Sequence, residues 1–239
     1  MTSNRRRFVA IVGIGLALTI PINIAIADSD NNVGSGEFAS FEKLSAEWQQ
    51  WALSIPTSVN PQLDTNGENC MVGQRGSVWF LAGVFIGGAG MPTRICSVPE
   101  GKALYFPVIN SVQINVPNVC GQGPNNFSVR ELRSMAAPII DGATNLSVTV
   151  DNAIKNLRRV KSEVFEVALP EENVFDSLCG GPGSVPAGVY SPAVDDGFYV
   201  LLKPLPVGHH TLHIHAESLA FSVIQDVTYN LTVVKVLLK

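Results

Sequence analysis

Hydrophobic and polar positions along this chain change period several times, and each change marks a boundary. Residues Phe8 to Ile26 form an apolar run behind Arg5, Arg6 and Arg7, and the small residues Ala25 and Ala27 precede Asp28. A basic start, an apolar stretch and an Ala-x-Ala site are the three parts of a secretory signal, so residues 1–27 read as a signal peptide removed on export. The run is also about long enough to span a bilayer, which leaves an uncleaved anchor as the alternative. Arg5 to Val9 resembles a twin-arginine signal as well, so the export route stays open. Residues 28–36 (DSDNNVGSG) carry no hydrophobic period and are expected to be a disordered lead.

From Phe38 to Leu53 the pattern is helical: Phe41, Leu44, Trp48 and Trp51 recur at three- and four-residue steps, and Pro56 and Pro61 close the segment. Such a stripe is the side of a helix laid on a sheet, although the paired tryptophans would also suit a ligand platform. Ser77 to Phe85 is a nearly continuous apolar run, expected as a strand followed by a turn at Gly87, Gly88 and Gly90. Arg94 to Val98 and Lys102 to Ile109 read as strands joined by Pro99-Glu100-Gly101, and residues 115–126 as a loop. Ser128 with Glu131 three positions on is a capping box, which starts a second helix.

Alternation with period two then takes over. Leu146, Val148 and Val150 share a face, Asp151-Asn152 is turn-like, and Val164 to Leu169 returns. Residues 178–192 form a Gly/Pro segment that reads as a rim or lid. Phe198 to Lys203, Gly208 to Ala216 and Val227 to Leu238 are the closing strands. Many short strands with only two helices predict a mainly β fold: one Greek-key, immunoglobulin-like β-sandwich over 37–239, decorated by those helices.

Charge narrows the partners. Without residues 1–27 the chain keeps 13 basic and 20 acidic residues, a net charge of −7, which argues against a nucleic-acid surface. No second long apolar stretch follows the first, so no stable membrane span is expected after cleavage. The product is expected to be secreted or periplasmic. Four cysteines, Cys70, Cys96, Cys120 and Cys179, in an exported chain predict two disulfides. Three pairings are open; Cys70 with Cys96 and Cys120 with Cys179 is favoured because each pair brackets a Gly-rich segment. A thiolate metal site is the other reading, but no CxxC spacing supports it.

All four histidines fall in one run, His209-His210-Thr211-Leu212-His213-Ile214-His215. Strand alternation places His209, His213 and His215 on one side and His210 with Leu212 and Ile214 on the core side. Two imidazoles two residues apart can aim at one ion, with His209, Glu217, Asp195, Asp196 or Asp226 as a further ligand. The candidate metal ligands are therefore His209, His213, His215 and Glu217, and the metal zinc or copper. A solvated His-rich face with His210 bonded at its rim is the plainer alternative. Imidazoles this close would also make the strand sensitive to mildly acidic pH.

Other chemistry is weakly signalled. Asp64-Thr65-Asn66-Gly67-Glu68-Asn69 alternates oxygen donors but lacks EF-hand spacing, so a side-chain-stabilised turn is expected. No Gly-x-Ser-x-Gly elbow is present. Asp195-Asp196, Glu171-Glu172 and Glu217 are the available carboxylates for a glycoside-cleaving pair. Asn126, Asn145 and Asn230 sit in glycosylation-type triplets, which only a eukaryotic secretory source would use.

The residues Trp48-x-x-Trp51, Ser54-Ile55-Pro56, Gly73-Gln74, Val78 to Gly83, Arg94-x-Cys96, Pro99-x-Gly101-Lys102-Ala103-Leu104 and Phe106-Pro107 resemble an uncharacterised family of exported bacterial proteins, over most of residues 45–235. The ending, Asp196 to Tyr199, Gly208-x-His210-Thr211 and Asp226 to Tyr229, resembles the closing hairpin of immunoglobulin-like sandwiches. The hairpin resemblance implies a structural His210, and the family resemblance carries over no particular activity. Three functional expectations follow: a secreted binding or structural module with a metal on the His strand; a metal-dependent or carboxylate hydrolase between that strand and 178–192; and a cell-surface interaction domain without small-molecule chemistry.

Overall fold

The computed structural model describes residues 38–85 and 90–236, all within one compact unit. The signal and lead read in residues 1–36, the Gly87-Gly88 turn and the last three residues lie outside the described residues. Helix α1, Phe41–Leu53, starts where the Ser40 hydroxyl accepts from the Lys43 N–H. Strands β1 (Val78–Phe80), β2 (Thr93–Pro99) and β3 (Ala103–Ile114) follow, then helix α2, Val129–Asp141, with the Ser128–Glu131 capping box in place. Next come β4 (Thr144–Val150), β5 (Ala153–Ile154), β6 (Arg158–Lys161), β7 (Phe165–Leu169) and a one-turn helix α3 (Asp176–Cys179). Strands β8 (Gly188–Leu202), β9 (Gly208–Ser218) and β10 (Val223–Val234) close the chain.

These strands form two five-stranded sheets. The first runs β1-β3-β8-β6, with β7 also on β8, and the second runs β2-β10-β9-β4-β5. Most pairs are antiparallel; β1 with β3 and β2 with β10 are parallel. The sheets pack face to face: Leu104, Phe106, Val200 and Leu202 meet Val148, Leu212, Ile214, Val227 and Leu231 in one core. Helix α1 covers the opposite face of the first sheet, where Leu44, Trp48 and Trp51 pack with Tyr105, Tyr199 and Leu201. The first sheet is thus apolar on both sides, which is why Ala103 to Ile109 is buried without alternation. The second sheet is covered on one side only, and β9 alternates accordingly.

Both disulfides have the favoured pairing, Cys70–Cys96 and Cys120–Cys179. Three expectations about elements change. Of the apolar run Ser77–Phe85 only Val78–Phe80 is strand, because side chains replace the ladder beyond it: Arg94 donates to the Ala82 and Gly83 carbonyls, and the Gln225 amide bonds both backbone groups of Val84. The expected strand from Phe198 begins ten residues earlier at Gly188, because its first half pairs with β7. That shortens the 178–192 loop, and α3 adds a third helix at its start.

Candidate functional site

Strand β9 sets the site. Leu212, Ile214 and Ala216 point into the core, and His209, Thr211, His213, His215 and Glu217 face outward. His215 lies opposite Asp226 on β10 and Ser147 on β4; His213 lies opposite Thr228 and Thr149. No described residue forms a layer over this outer face.

The outward groups form a chain of hydrogen-bonding pairs. Asp226 sits between two imidazoles, with His213 Nε2 at 3.0 Å from Oδ1 and His215 Nδ1 at 3.0 Å from Oδ2. The other nitrogen of His215 lies 3.4 Å from Glu217 Oε1, and Asn145 donates to Glu217 Oε2 at 2.8 Å. The two rings are nearly parallel, 6.4 Å apart between centroids. Burial alone would push the Asp226 carboxyl up, but the hydrogen bonds from His213 and His215 outweigh it and hold the group below the ordinary carboxylate value. Each ring nitrogen of His215 therefore faces a carboxylate, Asp226 on one side and Glu217 on the other.

Among the expected ligands, His213, His215 and Glu217 come together, with Asp226 between the rings. His209 does not join them. It bonds Thr232 Oγ1 at 3.1 Å and sits four residues along the strand from His213, about 13 Å away. Among the described residues no group of three or more His, Cys, Asp or Glu is arranged to hold a metal ion. The nitrogens such a centre needs are already turned toward Asp226 and Glu217.

No family model, no curated protein and no solved structure matches this chain. Function rests on geometry alone.

His210 has the rim role read from the sequence. Its Nδ1 lies 2.7 Å from Asp151 Oδ2 and its Nε2 2.9 Å from the Pro206 carbonyl. Two acceptors require a proton on both nitrogens, and the Asp151 hydrogen bond raises the imidazole above its ordinary value. The same bond lowers Asp151, whose other oxygen accepts from the Thr211 N–H.

The remaining candidates are structural. Asp64 accepts from the N–H groups of Asn66, Gly67 and Asn69, which is the expected turn. Asp195 and Asp196 are adjacent on β8 and so point to opposite faces, which prevents them from flanking one bond. Asp196 takes a two-pronged contact from Arg159, which also reaches Asp141. Asp195 is fully buried beneath α1 and accepts from Ser45, Gln49, Tyr199 and, more distantly, Asn110. Burial raises its carboxyl to about 6 against the pull of those four donors. The expected site between the His strand and the 178–192 segment is not formed. The His face looks away from the first sheet, whereas Cys179, Val185 and Tyr190 pack with Val167 and Leu169 of that sheet.

Sequence reasoning missed Arg94, which is 1% exposed. Its guanidinium donates to the Asp64, Ala82 and Gly83 carbonyls and to the Tyr229 hydroxyl. Alternation held the signal, since Arg94 shares a face with Cys96 and Val98.

Proposed function

We propose that this chain is an exported β-sandwich binding module whose working surface is the outer face of the His-bearing sheet. The observation that supports this reading is the Asp226 carboxylate held between His213 and His215, with Glu217 beyond, on a face without a covering layer. Export is supported by the basic, apolar and Ala-x-Ala pattern of residues 1–27. Every cysteine is paired, as in oxidising compartments. No helix among the described residues is long and apolar enough to cross a membrane.

The ligand class that this chemistry serves is a divalent transition ion, zinc or copper. Two imidazoles and two carboxylates that share protons can exchange those protons for a cation, with side-chain rotation bringing the donors to one point. The second reading is an interaction domain without small-molecule chemistry, favoured by the absence of a preformed three-ligand cluster among the described residues.

Calorimetric titration of the purified mature chain with Zn2+ and Cu2+ separates the two. Metal binding predicts uptake of one ion at pH 7.5, at least tenfold weaker at pH 5.5 because protons compete. It also predicts loss in Asp226→Asn and in the His213→Ala, His215→Ala double variant. A protein that takes up neither ion at millimolar concentration is the interaction domain.

A further inference from the structure

A concavity lies between the loop after β3 and the segment that carries α3. Its volume is about 350 Å3, and its walls include Val112, Ile114, Val119, Phe127, Met135 and Phe175. No lining residue carries a charge. The Cys120–Cys179 disulfide ties together the two segments that form its rim.

The rim is held in shape before any ligand arrives. Asn115 accepts from Gln122 Nε2 and from the Phe127 N–H, and its amide donates to Asn126 and to the Ser191 carbonyl. Gln122 Oε1 in turn accepts from the Val116 N–H. On the far side Asp176 Oδ1 accepts from the Val185 N–H, and Phe175 is wedged edge-on against Phe85. Such anchoring lowers the ordering cost of binding.

We infer that this concavity is a binding site for a small uncharged aromatic molecule of about two fused rings. An apolar cavity of about 150 Å3 takes up benzene, and the volume here is roughly twice that. Concave, mainly apolar sites of about 300–1,000 Å3 are where small molecules bind. An ion entering would lose hydration with no opposite charge to meet it, so the lining selects against charged ligands. Phe127 and Phe175 offer ring faces and edges to an aromatic guest. This site is separate from the outer face of the second sheet and stands or falls independently of it.

N-phenyl-1-naphthylamine, an uncharged naphthyl compound that brightens in apolar surroundings, is the probe. The oxidised mature protein is expected to give a saturable rise in emission with one site per chain. Met135 is 38% exposed, so Met135→Asp should leave circular dichroism unchanged while weakening the probe at least tenfold, and Met135→Leu should bind as the parent does. Val119→Lys, at another lining position, should weaken it similarly. Emission that never saturates in the folded parent, or binding undiminished in both charged variants, overturns the assignment.

Discussion

Asp195 accepts from four side chains and Asp226 from two, yet burial raises the first to about 6 while the second stays below the ordinary carboxylate value. Depth decides the sign: Asp195 is wholly shut off from solvent, whereas Asp226 stands on an open face beside two imidazoles that can carry charge. The two groups therefore make opposite contributions to stability against pH. The folded chain keeps a proton on Asp195 that the unfolded chain releases, so that stabilisation is complete below about pH 4 and is lost as pH rises toward 6. Asp226 contributes above the ordinary carboxylate range and loses that contribution as pH falls through its lowered value. Urea midpoints should show both trends. The difference between parent and Asp195→Asn should shrink from pH 4 to 6, and that between parent and Asp226→Asn should grow from pH 3 to 5. Asp195→Ala, which strands four buried donors, should cost about 3 kcal/mol or more at any pH, read from the same urea curves. Parallel curves for parent and Asp195→Asn would remove the buried carboxyl from this account.

Helices α1 and α2 were legible because a stripe of period 3.6 and a capping box are local signals. The His strand was legible for the same reason, and its two faces are as alternation predicted. What the pattern did not disclose is which distant partner takes up a backbone. The run from Leu81 to Phe85 is apolar enough for a strand, but its carbonyls go to Arg94 and Gln225, residues 11 to 141 positions away. The long β8 was hidden because it opens on a short stretch with Gly188 and Pro192 whose ladder partner is β7, before β3 takes over as a partner from Ala193. Turns carry comparable weight. Gly67 has φ +101°, and a Cβ there would sit 2.3 Å from the Ile95 carbonyl oxygen. Gly67→Ala therefore meets both a disfavoured backbone region and the β2 main chain, which also donates from the Ile95 N–H to Asn66. A loss of about 3 kcal/mol in chemical unfolding is expected, against about 1–2 kcal/mol for Gly101→Ala, where the space is open and only the positive φ of +82° opposes a side chain. Helix α1 is held by apolar burial as well as by Asp195, so Trp48→Ala, which empties a fully buried site, should cost about 3–5 kcal/mol in the same assay.

At the scale of the whole molecule, the two disulfides tie different kinds of segment. Cys70–Cys96 spans 26 residues and Cys120–Cys179 spans 59. On the chain-entropy account the longer loop is worth about 4 kcal/mol and the shorter about 0.7 kcal/mol less. Local support differs more. The segment before β2 is also gripped by the buried Arg94 guanidinium, the Asp64 turn and the close approach of Gly67 to Ile95. The segments joined by Cys120–Cys179 have less holding them: Asn115 donates to the Ser191 carbonyl of β8, and a few partly buried apolar side chains pack there. Removing the longer bridge with Cys120→Ser and Cys179→Ser should therefore accelerate amide hydrogen exchange first in residues 115–127 and 176–187. The core between the two sheets should keep its protection until global unfolding. Replacing Cys70 and Cys96 with serine should instead lower global stability with little early local opening, because Arg94 still links the segment to the core. If both variants raise exchange evenly across the sandwich, the bridges act on the unfolded chain alone and the rim has no mechanical dependence on its disulfide.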